Sequence, residues 1–225
     1  MNGLAVFDLD GTLVDSASHC AGIVNAMLDA RGAQARVTPE DARRHISAGA
    51  EILIAALLGG ALIAIEPDLA EFRQRYASMP TPTTCLFPGV REGLAVLRQA
   101  GAGLAICSNK PQALCDKVLS DLGLADQFLA VVGGRRGAPS KPDPAHLRAA
   151  ITLAGGRKGL ASCYVGDSDL DHQVALRAGV PFILVTYGYA EPGLEALDAL
   201  RAATFSETPE LILELLATPS RRAVR

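Results

Sequence analysis

Short, almost continuously apolar runs alternate with helical patterns through most of this chain, and no other feature restricts its fold as much. The runs are Leu4-Ala5-Val6-Phe7, Leu104-Ala105-Ile106-Cys107, Phe128-Leu129-Ala130-Val131-Val132, Cys163-Tyr164-Val165 and Phe182-Ile183-Leu184-Val185. A strand that is apolar at successive positions is covered on both faces, as in a parallel sheet flanked by helices. Between the runs, Val90, Leu94 and Leu97 recur at helical spacing. Leu114, Val118, Leu119 and Leu122 do the same, as do Leu147, Ala150, Ile151 and Ala154. Pro111 can open a helix, and Gly101, Gly123, Gly155 and Gly179 each follow a helical stretch. The expected class is α/β with a parallel sheet.

One region breaks the alternation. Between Val14 and Leu86 there are helical patterns over 16–31, 39–46, 49–58 and 67–77 and no convincing strand; Pro80-Thr81-Pro82-Thr83-Thr84 then reads as a linker. The pattern predicts an all-helical domain over residues 14–86, inserted directly after the first strand, with residues 1–13 and 87–225 forming the sheet domain.

Composition excludes several function classes. The formal net charge is −3 and the charge is dispersed, so no basic footprint for nucleic acid exists. The dense basic spots, Arg43-Arg44, Arg135-Arg136 and the tail Arg221, Arg222, Arg225, read as solvated surface. The longest apolar stretch, near Ile52 to Ile65, is broken by Gly59 and Gly60 and is too short for a membrane span. No signal-peptide layout is visible, since Asp8 and Asp10 occupy the place of an apolar core, and the expected location is the cytoplasm. Cys20, Cys85, Cys107, Cys115 and Cys163 are odd in number and lack CxxC spacing, which fits free thiols in a reducing compartment.

Four stretches bear chemistry, each at the expected end of a different strand. In Val6-Phe7-Asp8-Leu9-Asp10-Gly11-Thr12, two carboxylates sit where a parallel sheet binds its ligands. Two acids at a buried strand end are costly unless a cation or a substrate offsets them, and Gly11 permits a tight turn after them. Ser108-Asn109-Lys110-Pro111 places a hydroxyl before a helix start, where N–H groups favour anions; taken alone, Ser108 fits a plain helix cap equally well. Lys141 lies between Ser140 and Pro142-Asp143-Pro144, a stiff loop that positions an ammonium for phosphate. In Gly166-Asp167-Ser168-Asp169-Leu170-Asp171, Asp167 would enter the cleft beside Asp8, with Asp171 one helical turn further on the same side. Hard oxygen ligands of this kind suit Mg2+, and Asp8 with Asp167 is the candidate metal pair.

These residues together resemble the haloacid-dehalogenase superfamily of phosphohydrolases. The likeness covers nearly the whole chain and all four motifs in order. Asp8-Leu9-Asp10-Gly11-Thr12-Leu13-Val14-Asp15-Ser16, Leu86-Phe87-Pro88-Gly89-Val90, Ser108-Asn109-Lys110-Pro111, Lys141-Pro142-Asp143-Pro144 and Thr186-Tyr187-Gly188-Tyr189 look most like the phosphoglycolate phosphatase branch; Ile46-Ser47-Ala48-Gly49-Ala50 does so more loosely.

The resemblance implies a doubly wound, Rossmann-like core with a helical cap that closes over the site. It implies a Mg2+-dependent phosphatase acting on a small-molecule phosphate ester, with phosphoglycolate the first choice. Asp8 would be the nucleophile and form an aspartyl-phosphate, and Asp10 the general acid and base. Asp8, Asp167 and the backbone carbonyl of Asp10 would hold Mg2+. Ser108, the Asn109 backbone and Lys141 would hold the phosphoryl group. Gly11, Thr12, Gly166, Ser168 and Asp171 would support the site, Asp171 from beside the metal. A phosphomutase of the β-phosphoglucomutase type is the alternative, and a non-catalytic regulatory protein a third reading. Dehalogenases need neither Asp10 nor the Asp167/Asp171 cluster. The phosphonate-cleaving branch needs a cap lysine, and none occurs between Val14 and Leu86. The leaving group and the oligomeric state are not written in these motifs.

Overall fold

The computed structural model describes residues 2–46, 49–157, 159–189 and 193–217. Ser47 and Ala48 of the Ile46–Ala50 segment and the tail residues Arg221, Arg222 and Arg225 lie outside them. In chain order the elements are β1 (Leu4–Phe7), α1 (Ser16–Ala30), α2 (Pro39–Ile46), α3 (Ala50–Leu58), α4 (Ile65–Ser78), α5 (Val90–Gln99), β2 (Gly103–Pro111), α6 (Gln112–Asp121), β3 (Ala130–Gly134), α7 (Pro144–Leu153), β4 (Ser162–Gly166), α8 (Asp169–Ala178), β5 (Phe182–Val185), β6 (Leu200–Ala202) and α9 (Thr208–Ala217). They group into two compact units, Met1–Val14 with Leu86–Arg225, and Asp15–Cys85.

In the first unit the strands lie in the order β3-β2-β1-β4-β5-β6, every neighbouring pair parallel. This is the doubly wound α/β arrangement. The strand order reverses at β1, and a crevice for ligands opens there beyond the carboxyl ends. Register sets the height of that crevice. Phe7 pairs with Ile106 on one side and Val165 on the other, so Asp8, Cys107 and Gly166 emerge level with one another.

Alternation along β1 divides the core between the two faces of the sheet. Leu4 and Val6 join Ala105, Cys107 and Tyr164 beneath Leu147 and Ala150 of α7 and Val174 and Ala175 of α8. Phe7 meets Phe205 at a 6.1 Å ring separation, and α5 and α9 pack together with the segment holding Phe205. All four β1 side chains are fully buried, worth about 1.5–3 kcal/mol for each of the larger ones. Three residues of β6 were not anticipated. Leu200 and Arg201 are exposed and only Ala202 is buried, so this edge strand has no apolar run to reveal it.

The second unit is helical. Asp15 caps α1 by accepting from the Ala17 N–H at 3.2 Å. The Asn25 amide exchanges hydrogen bonds with the Val37 backbone at 2.8 and 2.9 Å, fixing the chain between α1 and α2. Arg31, just past α1, spans to α4: its guanidinium holds both oxygens of Asp68 at 2.8 and 3.2 Å, together with Glu71 at 2.8 Å. Among the described residues no single helix is long and apolar enough to cross a membrane. The apolar segment Ala50–Ala61 meets Ile65–Ser78 at a 107° bend.

Candidate active site

The site is assembled from four strand ends of the sheet unit. Asp8 leaves β1 with its N–H bound to the Val165 carbonyl at 2.9 Å, so β4 fixes its backbone. The chain then turns sharply: the Leu13 and Val14 N–H groups both reach the Leu9 carbonyl at 3.0 Å. Gly11 sits in this turn at φ +82°, and a Cβ there would lie 2.1 Å from Asp167 Oδ2, so neither the backbone nor the space admits another residue. Thr12, fully buried, donates to Asp167 Oδ1 at 3.3 Å.

Lys141 is placed by β2. The Asn109 side chain accepts from the Lys141 N–H at 2.8 Å and donates to the Lys141 carbonyl at 3.1 Å, pinning the loop that the sequence marks as stiff. The Lys141–Pro142 peptide is cis. The Lys141 ammonium then lies 2.9 Å from Asp8 and 2.7 Å from Asp171. Ser108 is buried, its hydroxyl 3.4 Å from the Lys110 N–H and its carbonyl 3.0 Å from His146 Nε2.

At the end of β4, Gly166 leads into Asp167, and Ser168 caps α8. Ser168 and Asp171 form a reciprocal capping box. Asp171 is saturated as a result. Its Oδ2 accepts from Ser168 Oγ at 2.6 Å and from the Ser168 and Asp167 N–H groups at 3.1 and 3.3 Å. Its Oδ1 faces Lys141 and the Tyr164 hydroxyl, each at 2.7 Å.

Charge in this cluster is unbalanced. Oxygens of Asp8, Asp167 and Asp171 lie within 4.8 Å of one another, all three residues buried, against the single ammonium of Lys141. Burial pushes the Asp8 carboxyl up to about 6 although Lys141 pulls it down. Burial, then the charges of Asp171 and Asp8, push Asp167 well above the usual carboxylate range. Lys141 would lose its proton more readily for being buried, but Asp171 and Asp8 outweigh that and raise it.

A divalent cation fits this donor set, because it would cancel the two uncompensated charges. Among the described residues, Asp8 Oδ1, buried, has no partner besides the Lys141 ammonium. Asp167 spends its bonds on Thr12 and on the Tyr189 N–H, 2.7 Å away, and retains lone pairs. Asp171 has none to spare. The donor set therefore favours Asp8 and Asp167 as ligands with Asp171 behind them.

Asp10 stands apart from this cluster. It is partly exposed, and both its oxygens lie 3.0 Å from the Lys110 ammonium. Sequence reasoning passed over Lys110, which sits one residue beyond Asn109 in its own motif. It also passed over the Tyr164 hydroxyl, hidden in an apolar run, and over the structural work of Gly188-Tyr189. A Cβ on Gly188 would lie 2.1 Å from the Gly11 carbonyl, so that glycine lets the chain after β5 close against the Asp8–Thr12 loop. The Tyr187 hydroxyl donates to the Thr12 carbonyl at 2.7 Å from the same segment.

Residues 5–185 match the family described as haloacid dehalogenase-like hydrolase. The chain is 36% identical to the phosphoglycolate phosphatase of Caulobacter vibrioides, across 97% of this chain and 94% of that protein. It is 37% identical to that of Cereibacter sphaeroides, across 94% and 98%. A crystal structure described as a predicted phosphoglycolate phosphatase from Haemophilus somnus superposes with a TM-score of 0.75 at 25% identity, covering 93% of this chain and 97% of that one.

Proposed function

The chain belongs to the haloacid dehalogenase-like hydrolases and is a phosphoric monoester hydrolase, and on that premise we propose that it cleaves a small-molecule phosphate monoester through Asp8, with Mg2+ bound and phosphoglycolate as substrate. The observation that carries this reading is the placement of Asp8 at the reversal point of the sheet, 2.9 Å from a buried lysine and beside two further buried carboxylates.

In the first displacement Asp8 attacks phosphorus, the bond to the leaving oxygen breaks, and Asp10 gives that oxygen a proton. In the second, Asp10 takes a proton from water, which attacks the aspartyl-phosphate and returns Asp8. Splitting one difficult displacement into two easier ones is the benefit of a covalent intermediate. Lys141, Ser108 and the Asn109 N–H receive the phosphoryl oxygens. Asp171 holds Lys141 in line, and Thr12 and the Tyr189 N–H hold Asp167. Asp8, Asp167 and the Asp10 carbonyl are the residues for Mg2+, which when bound offsets the repulsion between a dianionic phosphate and a carboxylate nucleophile. Residues 14–86 are assigned as the cap domain.

Two relatives near 36% identity over almost their full lengths share one substrate in their names, which supports phosphoglycolate here. The test is phosphate release with Mg2+ from phosphoglycolate, sugar phosphates, nucleoside monophosphates and amino-sugar phosphates. Phosphoglycolate should be turned over fastest, and chelation should stop release. Release from no ester by folded protein would overturn hydrolysis and favour phosphate transfer between sugar positions.

A further inference from the structure

Two side chains from other elements hold the last peptides of β2. The Cys107 carbonyl accepts from the Tyr164 hydroxyl at 2.9 Å. The Ser108 carbonyl lies 3.0 Å from Nε2 of His146, a buried residue in the first turn of α7. A carbonyl oxygen only accepts, so the proton of this bond sits on Nε2. The Pro139 carbonyl is a further acceptor beside the ring. His146 therefore ties the end of β2 to the loop that carries Lys141, alongside the clamp made by the Asn109 amide. Its consequence lies on the other side of the peptide. The Ser108–Asn109 bond is trans, the cis bond among the described residues being Lys141–Pro142. In a planar trans peptide the C=O and the following N–H point in opposite directions. Whatever fixes the Ser108 carbonyl thus fixes the direction of the Asn109 N–H. Peptide planes turn over at each residue of an extended strand, so successive carbonyls face opposite flanks. That of Cys107 faces the β1 flank, where Tyr164 of β4 meets it. That of Ser108 faces away, and the Asn109 N–H is left on the flank of Asp8.

We propose that His146 is a positioning residue for phosphoryl transfer: by holding the Ser108 carbonyl it aims the Asn109 N–H at the phosphoryl oxygens. This rests on the place given to the Asn109 N–H in the proposed function. A backbone donor has no rotamer of its own, and its aim is that of its peptide plane. The Ser108–Asn109 plane lies where the register of β2 with β3 shifts, between Cys107 and Pro111. The regular ladder does not set its tilt there, and a side chain does. The same hydrogen bond polarises the amide and strengthens the N–H as a donor. A donor aimed in advance stabilises charge on the transferring group without having to reorganise. His146 acts through a peptide that meets the phosphoryl group, so its effect is common to every ester, whatever the leaving group.

The test measures kcat and KM for phosphoglycolate and p-nitrophenyl phosphate with saturating Mg2+, together with inhibition by vanadate. It uses the wild-type protein, His146→Phe, His146→Asn and His146→Gln, with turnover expressed per folded molecule. Phenylalanine keeps a ring without an N–H, asparagine is too short to reach the carbonyl, and glutamine carries an N–H to about the place of Nε2. His146→Phe should lower kcat by about 10- to 100-fold, the scale of a small misplacement in the site. The factor should be the same on both esters, with KM changed far less and vanadate inhibition weakened in step. His146→Asn should do the same, and decides the matter should His146→Phe not fold. His146→Gln should recover most of the loss. An unchanged kcat per folded molecule, a loss that His146→Gln shares in full, or losses that differ between the esters overturn the inference and leave the phosphatase reading standing. A wild type that releases phosphate from neither ester overturns that reading and the inference with it.

Discussion

Both units of this protein bury acidic side chains beside a base, but the charge accounts differ. In the helical unit, Asp68 is 2% exposed and receives the Arg31 guanidinium on both oxygens and the Ile63 N–H at 2.8 Å. Burial would raise its pKa; the hydrogen bonds from Arg31 and the Ile63 N–H and the Arg31 charge outweigh this and hold it below the ordinary carboxylate value. In the sheet unit, one ammonium serves Asp8 and Asp171 together, with Asp167 alongside, and burial wins: Asp8 is pushed up to about 6 and Asp167 well above its usual range. A balanced buried pair supports a fold. An unbalanced cluster costs stability and is tolerated where a ligand supplies the missing charge.

The largest expected effect separates the two clusters by activity. Asp8→Asn should lower phosphoglycolate turnover by about 10⁴-fold or more. In chelated buffer its melting temperature should be no lower than that of the wild type, because an uncompensated carboxylate has been removed. Substantial turnover would sink the nucleophile assignment, and a large fall in melting temperature would show that the cluster is structural. Asp68→Asn should behave oppositely. Loss of the bidentate contact to Arg31 should cost about 2 kcal/mol in denaturant unfolding, with turnover per folded molecule retained. An unchanged unfolding midpoint would mean that Glu71 alone keeps Arg31 satisfied.

The smallest effect is the pH dependence of the metal-free protein, where the clusters pull in opposite directions. Asp68 has a lowered folded value, so its contribution is present above the unfolded value and is lost as pH falls through the folded one. Asp8 has a folded value raised from 3.8 to about 6, so its contribution is full below the unfolded value and is lost as pH rises through about 6. Melting of chelated protein should therefore weaken as pH rises through that window, and Mg2+ should raise the melting temperature more at about pH 8 than at about pH 5. A Mg2+ effect that is flat with pH would detach the metal from this cluster.

Much of the frame was legible before any coordinates. The helices of the second unit start and stop within a few residues of where apolar spacing put them, because Asp15, Gly49 and the prolines around them act locally. The runs at β1, β2, β4 and β5 are continuous because both faces of the sheet are covered, and helical patterns separate them. The positions of Asp8, Asp167 and Lys141 beyond strand ends were equally legible. The missed edge strand β6 shows the limit of that reasoning, since a strand with one covered residue leaves no pattern.

The partners in the site were a different matter. The Asn109 amide looks like a polar loop residue in sequence, yet it clamps a lysine 32 residues away. Tyr164 reads as one more apolar strand position, yet its hydroxyl braces Asp171 and Lys141. Lys110 reads as a loop cation, yet it holds an acid 100 residues earlier. By itself the sequence determined most of the strands and helices, though not β6 or α9, and which strand ends carry acids, because periodicity and capping act over a few residues. Only the tertiary structure decided which acid each lysine faces. That choice depends on strand order and register, and both are set by packing between segments far apart in the chain.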